Sequence, residues 1–556
     1  MRRPINKFWR RFLYIIGSFV LLLVILFLYL VWVSRVHPPA IADTSSLGLE
    51  RKENGGLYTI HNSWFRKSNS GLYEMYVEGN PFERGVINGK LSKELVVSQE
   101  DYFNDQINKM IPSRFYLHFL KYFVGWFNRN LDKNVPEEYK EEIYGISGSA
   151  SDRYGYIGTN YQRILNYHSA HDIGHALQNM ALVGCTSFGT WDAASADSSM
   201  IIGRNFDFYV GDNFARNKIV LFENPSSGYK FMSVTWGGFI GVVSGMNEKG
   251  LTVTINAAKS SIPSGSATPV SIVAREILQY SKNINEAIAI ARKRKMFVSE
   301  SFLVGSAEDH KAVIIEKTPD SLDIYDPHQD HILCANHFQS SGLGRSRPNA
   351  VQLEESASPY RYERLKELLD ENGPNTVQKT IRILRDRKGL HGASIGNGNE
   401  KALNQLIAHH SIVFEPQKLL VWVSTQPWQL GEYVSYDLKK IFALHGMAEN
   451  HEVYELAKTV AADTFLLTPE YHQFEKYRQL KQVLAEGGEI VPDSLVASNP
   501  DFYHAWVMAG DYLFKRKEYN KARGYYETAL TKVVATLPEE KYIRDQLKKC
   551  REKTTH

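Results

Sequence analysis

The longest hydrophobic run of the chain lies near its start, from Phe12 to Val33, and its 22 residues include no charged side chain. A helix rises about 1.5 Å per residue, so this run spans about 33 Å, which is enough for the core of a bilayer. Five basic residues precede it, at positions 2, 3, 7, 10 and 11. The positive-inside rule therefore predicts a cytoplasmic N-terminus, with the rest of the chain outside the cytoplasm.

A cleaved signal peptide is the alternative for this segment, because Ala40-Ile41-Ala42 resembles a small-residue cleavage site. The apolar run is longer than the roughly 7–15 residues of a signal core, and Tyr and Trp side chains lie at its far end, as in interface anchors. We therefore expect a single-pass membrane protein with an extracytoplasmic catalytic domain, which would be periplasmic in a Gram-negative bacterium.

The pattern along the whole chain predicts five segments. Residues 1–35 form the cytoplasmic N-terminus and transmembrane anchor, and residues 36–69 a polar linker with Pro38 and Pro39. Residues 70–184 follow a mainly helical pattern. At Gly184 the pattern changes to alternating apolar and polar positions rich in β-branched residues, with helical stretches at 269–294 and 360–388 and a hairpin turn at 246–250. Residues 185–440 are therefore predicted to form an α+β domain.

Residues 441–556 return to a helical pattern and carry the spacing of one tetratricopeptide unit, at Trp506, Gly510, Ala522, Tyr526 and Ala529. A single unit cannot bury both of its faces and has to stack on other helices. We expect a tail that caps the catalytic domain, and a surface for a protein partner is the alternative.

Composition narrows the possible functions. The net charge is only +4, and no stripe of Lys and Arg interleaved with aromatic residues is present, which excludes a nucleic-acid partner. The three cysteines, Cys185, Cys334 and Cys550, are too few for a disulfide framework. We interpret Cys334 and Cys550 as packing residues, so Cys185 is the candidate for chemistry.

The pair Gly184-Cys185 fits a thiol nucleophile that is made N-terminal by self-cleavage. A thiol attacks only as thiolate, and a terminal amine with a pKa near 7.7–8.0 is suited to take its proton. Cleavage before Cys185 would create that amine. A glycine at 184 tolerates a strained backbone and leaves its own carbonyl, the one bonded to the nitrogen of Cys185, open to attack by the thiol.

Further motifs follow Cys185 in a fixed order. The first, Gly203-Arg204-Asn205-Phe206-Asp207, contains Arg204 and Asp207. The second is the stretch GMNEKGL at Gly245–Leu251, and Asn256 lies six residues after its Gly250. Asn336 lies in Cys334-Ala335-Asn336-His337-Phe338, and Arg361, with Arg364 as fallback, lies in Pro359–Leu365. Upstream, the spacing Gly-x-x-x-Glu-x-Gly-x-x-x-Gly begins at Gly79.

With these motifs, residues 70–440 resemble the N-terminal-nucleophile (Ntn) hydrolases. They are most similar to the penicillin acyl-coenzyme A:6-aminopenicillanate acyltransferases (peptidase family C45) and more distantly similar to choloylglycine hydrolases and penicillin V acylases. The resemblance implies an αββα sandwich, autocatalytic cleavage after Gly184 and no metal or organic cofactor. It also implies the catalytic set: Cys185, Arg204, Asp207, Asn256, Asn336 and Arg361.

The roles implied by the resemblance have physical reasons. Asp207 would hold the amine of Cys185, and the charge of Arg204 would favour the thiolate. Asn256 would donate to the oxyanion, Asn336 would orient the substrate amide, and Arg361 would complete the polar network. The long segment before the cysteine differs from the choloylglycine branch, which argues against bile-salt specificity.

We therefore expect an enzyme that hydrolyses or transfers the acyl group of a linear, non-peptide amide through a thioester on Cys185. The substrate would be a small-molecule or lipid acyl amide close to the membrane, and acyl-coenzyme A is a further candidate. Two alternatives remain: a phospholipase B-like or ceramidase-like lipid hydrolase, and a non-catalytic scaffold anchored in the membrane. A metal site at His168, His171, Asp172 and His175 is the weaker interpretation of that helical stretch.

Overall fold

The computed structural model describes residues 7–110, 113–169, 172, 184–259 and 265–554. It begins with the helix α1, Lys7–Val33, which is long and apolar enough to cross a membrane and has no buried residue along its described length. This feature fits a membrane anchor and a signal sequence equally.

The other α-helices fall into an upstream group, a central group and a C-terminal group. The upstream group is α2 (Pro81–Leu91), α3 (Lys93–Met110), α4 (Arg114–Phe127), α5 (Leu131–Asn134), α6 (Glu137–Ser147) and α7 (Asn160–His168). The central group is α8 (Asp212–Arg216), α9 (Val270–Tyr280), α10 (Ile284–Lys293), α11 (Arg347–Glu355), α12 (Ser358–Asn372), α13 (Val377–Leu384) and α14 (Leu438–Phe442). The C-terminal group is α15 (Pro469–Ala485), α16 (Pro492–Ser498), α17 (Tyr503–Lys515), α18 (Tyr519–Ala529) and α19 (Leu537–Thr554).

The strands of the described residues form two sheets. The larger one has eleven strands in the order β1 (Lys52–Asn54), β2 (Leu57–Ile60), β3 (Ser63–Lys67), β4 (Tyr73–Gly79), β7 (Ile219–Pro225), β8 (Phe231–Thr235), β9 (Ser244–Asn247), β10 (Leu251–Ala257), β11 (Glu300–Ser306), β12 (Lys311–Lys317) and β13 (Leu322–Tyr325). The smaller one has six, in the order β14 (His331–Cys334), β5 (Thr186–Asp192), β6 (Ser198–Phe206), β15 (His410–Glu415), β16 (Leu420–Ser424) and β17 (Tyr433–Asp437).

The two sheets pack face to face. One buried cluster joins Val220, Leu303 and Ile314 of the larger sheet to Ile202 and Ile412 of the smaller sheet. A second cluster packs α9 against the other face of the larger sheet, and a third packs α12 and α13 against the other face of the smaller one. The central strands β10 and β11 are buried at every position, so both of their faces are covered. The predicted mixed α/β class is confirmed.

The stretch from Lys52 to Gly79 corrects the predicted secondary structure. The sequence pattern assigned it to a polar linker and to the beginning of the helical segment, but it forms β1 to β4. β4 pairs in parallel with β7, from Tyr73 opposite Ile219 to Gly79 opposite Pro225. Parallel pairing joins strands that are distant in the chain, so no local signal in residues 52–79 indicated the partner. The upstream segment therefore supplies one part of the larger sheet.

The predicted turn at 246–250 is confirmed as the connection between β9 and β10. Gly250 has a φ of +73°, in the region that favours glycine. The side-chain oxygen of Asn247 accepts hydrogen bonds from the main-chain N–H groups of Lys249 and Leu251, both 3.0 Å away. This turn fixes the register of β10, the strand that carries Asn256.

Candidate active site

Cys185 lies directly before β5 and is buried, with 1% of its surface exposed. The register of the smaller sheet explains its neighbours: in β6, Asn205 pairs with Thr186 and Arg204 with Ser187, while in β14 Cys334 pairs with Ser187. Arg204 and Asp207 at the end of β6, and Asn336 just after β14, are therefore brought to the same end of the sheet as Cys185. Asn256 reaches this place from the larger sheet.

The guanidinium of Arg204 is held by main-chain and side-chain oxygens. It donates to the carbonyl of Val243 at 2.5 Å, to the carbonyl of Ile255 and to the hydroxyl of Ser244. Its second terminal nitrogen lies 3.7 Å from the sulfur of Cys185. Burial raises the pKa of the Cys185 thiol to about 11, and the positive charge of Arg204 opposes this rise. In this closed, uncleaved chain the thiol is protonated at neutral pH.

The carboxyl group of Asp207 is fully buried, and neither of its oxygens has a hydrogen-bond partner among the described residues. Burial raises its pKa to about 7, although the charges of Arg361 and Arg204 act in the opposite direction. Its main-chain oxygen accepts a hydrogen bond from the N–H of Gly184 at 3.0 Å. An unpaired buried carboxyl is unfavourable, so this group is available to a cation formed beside it.

Arg361, on α12, connects the residues around the Gly184–Cys185 bond. One terminal nitrogen donates to the carbonyl oxygens of Gly184 and Cys185, each at 2.7 Å, and the other donates to the side-chain oxygen of Asn336 at 2.7 Å. The fallback residue Arg364 faces elsewhere and forms an ion pair with Asp386 at 2.9 Å. Of the two arginines in the motif, Arg361 is the one in contact with the candidate site.

The two asparagines bridge the strands. Asn336 donates to the carbonyl of Ala257 at 2.9 Å. Asn256 accepts a hydrogen bond from the hydroxyl of Ser187 at 2.9 Å, and its amide nitrogen lies 3.1 Å from the carbonyl oxygen of Ala335 and 3.3 Å from that of Cys334. The six residues predicted from the motifs are thus close together in the structure.

Two buried residues in this region were not predicted. Gln405 donates from its side-chain nitrogen to the carbonyl of Gly184 at 2.8 Å. Glu300, on β11, has a carboxyl group without a hydrogen-bond partner in the described part of the chain, and burial raises its pKa well above the ordinary value. Gln405 follows a Gly- and Asn-rich stretch of loop, and nothing in the sequence pattern singled it out.

The weaker metal-site interpretation can be followed only in part, because His171 and His175 lie outside the described residues. His168 is buried, and its Nε2 accepts a hydrogen bond from the N–H of Ile240 at 2.9 Å. Its Nδ1 therefore carries the proton and donates to the carbonyl of Ile164 at 2.8 Å. Both ring nitrogens of His168 are occupied by main-chain groups, which gives this residue a packing role.

One family model matches the central part of the chain. The model of the acyl-coenzyme A:6-aminopenicillanic acid acyl-transferase family matches residues 194–426. The resemblance predicted from the motifs is therefore confirmed. The match includes five of the six predicted site residues and begins after Cys185.

Two curated proteins are similar over longer stretches. An uncharacterised protein of Archaeoglobus fulgidus is 26% identical over 400 residues, 65% of each chain. The protein dcd1B of Dictyostelium discoideum is 22% identical over 292 residues, 49% of this chain and 55% of that protein. The chain thus matches less than two thirds of the length of either relative.

Among solved structures, an N-acylethanolamine-hydrolyzing acid amidase ortholog of Caenorhabditis elegans is 17% identical with a TM-score of 0.30, covering 42% of this chain and 93% of that one. A mutant conjugated bile acid hydrolase from Clostridium perfringens is 14% identical with a TM-score of 0.32, covering 48% and 95%. The penicillin V acylase of Agrobacterium tumefaciens is 13% identical with a TM-score of 0.29, covering 49% and 99%.

Proposed function

We propose that this protein is a self-processed cysteine Ntn amidohydrolase or acyltransferase, whose nucleophile is the thiol of Cys185 after cleavage of the Gly184–Cys185 bond. The observation that carries the proposal is one buried cluster. It combines the thiol of Cys185, the unpaired carboxyl of Asp207, and a Gly184 carbonyl that accepts a hydrogen bond from Arg361 at 2.7 Å.

Cleavage would change the electrostatics of this cluster. The new α-amine of Cys185 has an ordinary pKa near 7.7–8.0, close to what a proton acceptor needs at neutral pH. As an ammonium group it would pair with the carboxylate of Asp207. Before cleavage this carboxyl lacks a hydrogen-bond partner among the described residues. This pairing would lower the pKa of Asp207, and the neighbouring Arg204 and the amine together would lower the pKa of the thiol.

In turnover, the Cys185 thiolate attacks the acyl carbonyl of the substrate and the amine of Cys185 takes and returns the proton. We assign Asn256 to the oxyanion, Asn336 to orientation of the substrate amide and Arg361 to the supporting polar network. Loss of one oxyanion donor typically costs about 10²–10³ in rate. The acyl group leaves the thioester to water in hydrolysis or to a second amine in transfer.

The substrate is proposed to be an N-acylated small molecule or lipid amide, and acyl-coenzyme A is a second candidate acyl donor. The apolar helix α1 favours a substrate near a membrane, if it acts as an anchor with the site on the extracytoplasmic side. We also propose the domain limits given in the sequence analysis. For the helical tail from residue 441 we propose a packing role. A phospholipase B-like or ceramidase-like lipid hydrolase uses the same nucleophile and differs only in its substrate.

The test is formation of a covalent acyl-enzyme. Purified protein would be incubated with a panel of acyl amides, lipid esters and acyl-coenzyme A, and the acyl mass located by peptide mass spectrometry. We expect it on Cys185, and no turnover by Cys185→Ala. Cys334→Ala is the matched control, because Cys334 is also a free, buried thiol. Turnover by Cys185→Ala would contradict the proposal, and absence of any turnover by the wild type would favour a scaffold.

A further inference from the structure

The carbonyl oxygen of Gly184 accepts hydrogen bonds from two side chains that lie in different segments of the chain. Arg361 on α12 donates at 2.7 Å and Gln405 donates at 2.8 Å. Both donors are buried, with 3% of the surface of each residue exposed. Two buried donors on one main-chain oxygen, one of them charged, form an arrangement that stabilises negative charge on that oxygen.

The contact between Gln405 and residue 184 requires a residue without a Cβ atom at position 184. A Cβ atom at position 184 would lie 2.2 Å from the side-chain nitrogen of Gln405 and 2.6 Å from its oxygen. These separations are far below van der Waals contact, so a larger residue would displace the Gln405 amide. Glycine at this position therefore allows the Gln405 side chain to approach the carbonyl.

We infer that Gln405 is a catalytic residue of self-cleavage, and that it forms with Arg361 the oxyanion hole for attack of Cys185 on Gly184. This inference rests on the self-cleavage proposed above and assigns a residue that no motif indicated. Asn256, the donor proposed for turnover, is directed instead to the carbonyls of Ala335 and Cys334. Processing and turnover would thus use different donors.

Self-cleavage transfers the acyl group of Gly184 from nitrogen to sulfur and then to water. The sulfur of Cys185 bonds to the carbonyl carbon of Gly184, and the oxygen becomes the anion held by Arg361 and Gln405. The thiol proton passes to the amide nitrogen of Cys185, the carbon–nitrogen bond breaks, and a thioester and a free amine result. Water then adds to the thioester, giving the carboxylic acid of Gly184 and the free thiol of Cys185.

The loop that carries Gln405 is fixed on both sides of this residue. Before it, the N–H of Asn404 donates to the carbonyl of Asp386 at 2.8 Å, and the carboxyl of Asp386 pairs with Arg364 on the helix that also carries Arg361. After it, Leu406 has a φ of +56° and is buried in the hydrophobic cluster of the C-terminal helices. A left-handed leucine persists only where packing holds it, so the donor is positioned before the reaction.

The experiment follows the cleavage of the full-length chain during cell-free synthesis, with the 185–556 fragment measured over time. Gln405→Leu removes the donor and should slow cleavage by about 10²–10³-fold. Gln429→Leu is the matched control, since Gln429 is buried and its side-chain atoms lack partners among the described residues. It should cleave at the wild-type rate. Thermal unfolding of Gln405→Leu in a Cys185→Ala background tests whether the fold is retained.

Gln405→Glu gives a readout that a purely structural role would not change. The ionised carboxylate cannot donate, whereas its protonated form has one O–H donor. Relative to the wild type at the same pH, cleavage by this variant should therefore recover as the pH falls. Wild-type cleavage by Gln405→Leu, or absence of this recovery, would overturn the inference. A wild-type chain that remains intact would instead overturn the self-cleavage proposal itself.

Discussion

At the scale of single residues, burial changes the protonation of the Asp207 carboxyl. Its carboxyl has no hydrogen-bond partner within the described residues, and burial raises its pKa from 3.8 to about 7. The folded chain therefore binds this proton more tightly than the unfolded chain between these two values. The contribution of Asp207 to stability is greatest below pH 3.8 and is lost as the pH rises toward 7.

Asp207→Asn in a Cys185→Ala background tests this pH dependence without interference from cleavage. Urea unfolding would be measured at pH 4 and pH 7. We expect the parent to lose stability relative to Asp207→Asn as the pH rises, by at most about 4 kcal/mol, since a shift of one pKa unit corresponds to 1.36 kcal/mol. An unchanged difference between the two proteins at both pH values would show that Asp207 keeps its ordinary pKa.

The residues of the site differ in how far the sequence indicated them. Short sequence motifs contain or surround the six predicted residues, Cys185, Arg204, Asp207, Asn256, Asn336 and Arg361. The resemblance of these motifs to a known family was therefore sufficient to predict them. Gln405 contacts Gly184 across 221 positions of sequence. No local pattern distinguishes it from a loop glutamine, because its role arises from the close approach of two distant segments.

At the scale of elements, the segment before Gly184 is joined to residues 185–440 in two ways. β4 pairs with β7, and a fully buried group of charges links the two parts. Arg84 forms ion pairs with Glu142 at 2.5 Å and with Glu223 at 2.7 Å, and Arg275 pairs with both carboxylates. Strand pairing of this kind depends on residues far downstream, which is why residues 52–79 were predicted to be linker and helix.

Fragments 1–184 and 185–556 should therefore stay associated after cleavage. Native size-exclusion chromatography of the processed protein should give one peak containing both fragments, which separate only in denaturant. Elution of the 185–556 fragment alone under native conditions would contradict this expectation.

Removal of Arg84 tests the buried charges. Arg84→Met leaves Glu142 and Glu223 with Arg275 alone, and breaking a buried ion pair in this way costs about 3–5 kcal/mol. Urea unfolding of the Cys185→Ala background would measure the loss. Arg51→Met is the control, because the pair of Arg51 with Glu94 is partly exposed and should contribute less than about 1 kcal/mol. Equal effects of the two changes would show that the buried group adds no special stability.

At the scale of the whole molecule, the C-terminal helices contact the loop that leads to Gln405. Asn499 accepts a hydrogen bond from the N–H of Asn397 at 3.1 Å and donates to its carbonyl at 2.7 Å. A Cβ at Gly396 would lie 2.4 Å from the backbone of Phe502, so the loop and the tail are in close contact. This contact supports the predicted packing role of the tail, which the tetratricopeptide spacing alone left open between cap and partner surface.

Asn499→Ala should slow self-cleavage, because it releases the loop that positions Gln405. The full-length chain would be followed during cell-free synthesis, and Arg516→Ala serves as control, since Arg516 pairs with the exposed Glu489 on the tail. We expect a slower rate for Asn499→Ala and the wild-type rate for Arg516→Ala. Equal rates for the two variants would show that the contact of Asn499 with the loop does not affect self-cleavage.

The most direct test of the account is the N-terminal sequence and intact mass of the purified chain, beside Cys185→Ala. We expect a new N-terminus at Cys185 in the wild type and an uncleaved 184–185 bond in Cys185→Ala. A wild-type protein that turns over acyl amides with this bond intact, or a Cys185→Ala chain cleaved at the same place, would contradict it.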